Sequence, residues 1–157
     1  MSELKTGDLA PTFKLPGDGG EDIDLADFRG QNVVLYFYPK DDTPGCTTEA
    51  INFTGAKADF EAANTVIIGA SKDSVKRHDN FKAKHELAVR LVSDPEGELC
   101  EAYGVWVLKK LYGREYMGIE RATFLIDAEG KIAKIWRKVK VKGHAEDVLD
   151  AARELNG

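Results

Sequence analysis

Cys46 and Cys100 are the two cysteines of the chain, and Cys46 stands where a thiol becomes reactive. The reactive form is the thiolate, and the first turn of a helix favours it because its amides are unpaired and the helix dipole is positive there. Cys46 follows the polar run Lys40-Asp41-Asp42-Thr43-Pro44-Gly45, after which Cys46, Ala50, Phe53 and Phe60 keep one helical face apolar. It is therefore predicted at a helix start, either as a nucleophilic thiolate or as a small packed hydrophobe. Cys46-Thr47-Thr48-Glu49 lacks the second cysteine of a C-x-x-C disulfide-exchange pair. Around Cys46, Thr43 suits a turn or cap, Pro39 a strand terminator, and Glu49 the acid that a first turn welcomes. His78, His85 and His144 are scattered, with no ligand spacing to cysteines or carboxylates, so solvated or capping roles are expected and no metal or other cofactor.

The elements that position Cys46 follow from pattern. Val33 to Tyr38 is an unbroken apolar run ending at Pro39, which suits a strand buried on both faces. A helix from Cys46 to a stop at Asn64 and a second buried strand, Thr65 to Ala70, complete a β-α-β unit with parallel strands. A polar helix spans about Ser74 to His85, and a short strand covers Leu91-Val92-Ser93. Asp94-Pro95 then opens a helix to about Tyr103 that contains Cys100, with Pro95 in its first turn. Ala122 to Ile126 and Lys131 to Trp136 flank the turn Asp127-Ala128-Glu129-Gly130 and form an antiparallel hairpin. His144 to Leu155 places Val148, Leu149, Ala152 and Leu155 on one helical stripe, and Arg137 to Lys142 alternates like a solvated edge strand. The fold class is α/β, a central mixed β-sheet flanked by helices.

At 157 residues the chain has the length of one domain, spanning 1–157. A net charge of -5 argues against nucleic acid and anionic membranes as partners. The apolar run Val33 to Tyr38 is far short of the roughly 20 residues of a transmembrane helix. The N-terminal residues have no basic region leading into an apolar stretch, so a cytoplasmic location is expected. Two cysteines do not make a disulfide framework.

Pro39, Thr43 and Cys46 have the spacing P-x-x-x-T-x-x-C at the end of a buried strand, which resembles the active-site signature of the peroxiredoxins. The resemblance covers essentially the whole chain and is nearest the bacterioferritin comigratory protein, or peroxiredoxin Q, branch. It is carried by Thr43 to Glu49, Ser93-Asp94-Pro95, Ala102 to Trp106, Tyr112-Gly113, Gly118 to Asp127 and Val139 to His144. It implies a thioredoxin-like fold and a thiol peroxidase acting on hydrogen peroxide and organic hydroperoxides without metal or haem, and a monomer. Cys46 is then the peroxide-attacking nucleophile, Thr43 orients the peroxide, Pro39 limits water, Arg121 contacts sulfur and substrate, and Glu49 positions Arg121.

One position departs from the branch pattern. Many members carry a resolving cysteine five residues after the first, where this chain has Ile51. Cys100, predicted buried and inert, is the only internal substitute. A one-cysteine cycle is expected, with thioredoxin, glutaredoxin or a small thiol as reductant. The alternatives are a Cys46-Cys100 disulfide and a non-enzymatic redox sensor or holdase.

Overall fold

In the computed structural model, which describes residues 3–156, a five-stranded sheet carries the fold. Its strands are β3 (Asn32–Phe37), β4 (Thr65–Ser71), β5 (Arg90–Ser93), β8 (Ala122–Ile126) and β9 (Ile132–Trp136), in the order β5-β4-β3-β8-β9. β3, β4 and β5 run parallel, whereas β8 and β9 are antiparallel neighbours. The mixed sheet is thus the one the apolar runs predict. A short hairpin of β1 (Lys14–Pro16) and β2 (Asp22–Asp24) precedes it.

All six residues of β3 are buried, because both faces of the sheet are covered. Val34 and Tyr36 point into a cluster with Cys46, Ala50, Phe53 and Phe60, closed by Val148 and Ala152. Val33, Leu35 and Phe37 point the other way, into a cluster with Leu99, Cys100, Tyr103 and Phe124. This alternation follows from the period of two along a strand. Helices α1 (Pro44–Gly55), α2 (Lys57–Ala62) and α5 (His144–Asn156) cover the first face, α3 (Val75–His85) packs beside β5, and α4 (Glu98–Ala102) belongs to the second. Among the described residues no helix is long and apolar enough to cross a membrane.

Four local expectations change. The helix after Cys46 breaks at Ala56, where Gly55, a poor helix former, lets the last turn tighten before α2 resumes. Asn64 still ends the pair, with a left-handed φ of 56°. Pro95 lies not in the helix but in a turn closed by Gly97 N–H to Asp94 O, and α4 starts later, its Leu99 and Cys100 amides donating to the Asp94 carboxylate. Residues 137–142 are not a strand: Lys138 has a φ of 48°, although exposed lysines and half-buried neighbours still alternate. Leu155 of the helical stripe is partly exposed at 37%, leaving Val148, Leu149 and Ala152 as the docking contacts. Two hairpins were not anticipated: that of β1 and β2, and that of β6 (Trp106–Leu111) and β7 (Arg114–Ile119), a two-stranded sheet leading directly to Arg121.

Candidate active site

Thr43 occupies the N-cap of α1, and Pro44 fills its first position, where a missing N–H costs nothing. Cys46 is therefore in the first turn, as predicted, and is 1% exposed. The first helical bond runs from Thr47 N to Thr43 O at 2.8 Å, so the amides of Gly45 and Cys46 lie ahead of it at the positive end of the helix. Thr43 Oγ1 donates its proton to Lys40 O at 2.8 Å. Its lone pairs are left to accept, which suits a substrate that presents an O–H. Pro39 is half-buried and follows the last sheet bond, Tyr38 N to Ala70 O.

Arg121 reaches this helix end from the link between β7 and β8, where Val139 N–H fixes its carbonyl at 3.0 Å. Its Nη2 donates to Cys46 Sγ at 3.4 Å and its Nη1 to Glu49 Oε1 at 2.6 Å. Cys46, Glu49 and Arg121 thus converge, with Glu49 ion-paired to the guanidinium. A Cβ at Gly45 would stand 3.1 Å from Nη2, so the bare backbone at that position admits the guanidinium. Burial pushes the Glu49 carboxyl up to about 7, against the pull of Arg121. Burial also opposes the guanidinium charge, which Glu49 and Cys46 restore. Two buried oxygens beside the site, Glu49 Oε2 and the Tyr36 hydroxyl, have no hydrogen-bond partner among the described residues.

The histidines overturn the expectation of solvated or capping roles, save His85, which pairs with Asp42 at the surface. His144 begins α5, but its imidazole turns inward and meets Thr123 Oγ1 of β8 at 2.7 Å. Burial pushes it down to about 4, so it is neutral at neutral pH. His78 is fully buried: its Nδ1 faces Asp41 Oδ2 at 2.7 Å and its Nε2 donates to Val92 O at 2.9 Å. Tyr38 donates to the other Asp41 oxygen at 2.6 Å, and the Asp41 amide donates to Asp73. This network braces the loop between β3 and α1, which carries Thr43. Sequence reasoning also missed Lys109 of β6, half-buried, whose ammonium is pulled down by burial and by the neighbouring Arg121.

Cys100 lies across the sheet from Cys46, fully buried, its thiol held far above the usual range by burial and by Asp94. Ile51, at the position of the resolving cysteine in the branch pattern, is 47% exposed on α1. No group of three or more metal-ligating side chains occurs among the described residues.

The family model of the AhpC/TSA family matches residues 6–135. The chain belongs to the AhpC/TSA family of peroxiredoxins. Peroxiredoxin Bcp of Bacillus subtilis is 51% identical over 98% of each chain. Peroxiredoxin Bcp of Escherichia coli is 41% identical over 98% of this chain and 99% of its own. Among solved structures, Xanthomonas campestris peroxiredoxin Q superposes with a TM-score of 0.88 at 47% identity over 92% of each chain. A trapped-intermediate study of the Xanthomonas bacterioferritin comigratory protein, matching with a TM-score of 0.88 at 46% identity over 92% of each chain, addressed its alkyl peroxide reduction activity. The thioredoxin-like architecture of these peroxiredoxins is the α/β fold described above.

Proposed function

We propose that this peroxiredoxin reduces hydrogen peroxide and organic hydroperoxides through Cys46, and that an external thiol regenerates it. The observation that carries the reading is the convergence of Arg121 on Cys46 Sγ at a helix N-terminus, a positive environment in which a thiolate is the stable nucleophile. In this reading Thr43, whose lone pairs are left to accept, and Arg121, which donates to the sulfur, serve as acceptor and donor for the peroxide, and Pro39, just past the end of β3, limits water. The sulfur donates an electron pair to one peroxide oxygen as the O–O bond breaks. The leaving oxygen takes a proton and departs as water or alcohol, and Cys46 becomes a sulfenic acid. An incoming thiol then attacks that sulfur, forms a mixed disulfide and releases water, and a second thiol reduces the disulfide.

Two observations support external resolution: Ile51 at the branch's resolving position, and Cys100 in the cluster behind the sheet. Thioredoxin, glutaredoxin and a small thiol all fit this step. Peroxide consumption coupled to each reductant tests the proposal. Many turnovers are expected from the wild type and none from Cys46→Ser, while a single oxidation without turnover would instead mark a redox sensor or holdase. After one equivalent of peroxide, mass spectrometry should find a sulfenic acid at Cys46 that Cys100→Ser leaves unchanged. A Cys46-Cys100 disulfide would overturn external resolution.

A further inference from the structure

Arg121 offers one positive charge to two acids. Its Nη2 faces Cys46 Sγ at 3.4 Å, and its Nη1 meets Glu49 Oε1 at 2.6 Å. Both acids are 1% exposed, where uncompensated charge is costly. The groups packed around them supply little further compensation. Tyr36 of β3 is kept neutral by burial and by the charges of Glu49 and Cys46. His144 of α5 is neutral. Asp41, on the loop before α1, is a further acid and pairs with His78. Glu120, beside Arg121, faces Arg137 at 3.6 Å. Lys109 of β6 is a cation near Arg121 and Cys46, but it makes no hydrogen bond to either acid among the described residues.

Glu49 Oε2 supplies the second observation. It is buried and, among the described residues, has no donor facing it. A carboxylate oxygen in that setting carries charge with nothing to satisfy it, whereas a protonated oxygen is neutral and costs much less to leave unpaired.

We propose that Glu49 carries a proton while Cys46 is a thiolate and releases it when Cys46 is oxidised, so that the carboxyl stores the proton the peroxide step consumes. The inference rests on the peroxidase reading, since it requires a sulfenic acid at Cys46. The step balances: Cys46 thiolate, Glu49 carboxylic acid and ROOH give Cys46 sulfenic acid, Glu49 carboxylate and ROH. The S–O bond forms as the O–O bond breaks, sulfur loses two electrons, and the leaving oxygen gains one proton as Glu49 loses one. Glu49 is a positioning residue that acts through Arg121. Once the sulfur is neutral, the guanidinium serves the carboxylate alone. Burial places the carboxyl at about 7, a range in which it can hold and release a proton near neutrality.

Difference infrared spectroscopy tests this directly. Reduced protein on the acid side of neutrality receives one equivalent of hydrogen peroxide, and sulfenic acid at Cys46 is quantified by dimedone capture in parallel. The expected result is loss of one protonated-carboxyl C=O band per sulfenic acid, sensitive to D2O and absent in Glu49→Gln. In the wild type alone, which needs no variant to fold, the loss should fade as pH rises through about 7. Sulfenic acid formed with no carboxyl change, or the same loss in Glu49→Gln, would overturn the inference. Failure to form any sulfenic acid would instead overturn the peroxidase reading.

Discussion

At the scale of single residues, the site depends on how closely one guanidinium approaches one sulfur. Gly45 sets that approach, because its missing side chain leaves the 3.1 Å that Nη2 occupies. Gly45→Val should therefore keep the fold but move Arg121 off Cys46, lowering the second-order rate of Cys46 oxidation by roughly tenfold or more, since donors preorganised at a reacting centre are each worth that much. Stopped-flow measurement with hydrogen peroxide checks it, and an unchanged rate would show that Arg121 tolerates the displacement. Cys46 was legible as a thiol at a helix start, and Thr43 and Glu49 as residues of that same loop and turn, their roles in the site coming from the family resemblance. Arg121 was not legible from local pattern and came only from the family resemblance, since the sheet brings it to Cys46 from 75 residues away. His78 and His144 were misread for the same reason: the partners of His78, Asp41 and Val92, and of His144, Thr123, lie on other elements.

At the scale of elements, strands announced themselves through apolar runs, while interruptions depended on subtler chemistry. Pro95 fits a helix N-terminus and a turn equally well, and the Asp94 side chain, by taking the Leu99 and Cys100 amides, selected the turn. The β6-β7 hairpin escaped notice because Leu108, Leu111, Tyr112, Tyr116 and Met117 are exposed, so no inward-outward alternation marks its strands. The loop from β3 to α1 is held by contacts to α3 and to Asp73 just before it, as well as by its own Tyr38–Asp41 and Thr43–Lys40 bonds. His78→Leu removes one partner from a buried pair and leaves the Asp41 carboxylate with Tyr38 as its remaining side-chain donor among the described residues, which should cost about 3 to 5 kcal/mol in urea denaturation. Asp41→Asn combined with His78→Leu should cost less than the sum of the single changes, because the orphaned charge is gone. Strict additivity would deny the pairing.

For the whole molecule, acid sensitivity follows from a histidine that the fold keeps neutral. The pKa of His144 is lowered from 6.5 to about 4, so between these values the unfolded chain binds the proton and the native state does not. Stability from this residue is present above 6.5 and is lost as pH falls toward 4, by up to about 3 kcal/mol at 1.36 kcal/mol per unit. His144→Gln should flatten that acid limb in denaturation curves recorded across the window. Glu49, raised rather than lowered, contributes the opposite slope as pH climbs from 4.5 to about 7, and does so in both proteins, so it drops out of the comparison. A variant with the same acid limb as the wild type would show that His144 is not its source.

The sheet also keeps the two sulfurs in separate compartments, and this gives the molecule a gauge of its own integrity. Cys100 has no exposed surface and sits behind β3 and β4, so an alkylating reagent meets it only when that side of the core comes apart. In Cys46→Ser protein, the labelling rate of this one remaining thiol should match the slowest amide exchange of β3. The front sulfur would then report turnover and the back sulfur the lifetime of the fold, each readable without the other.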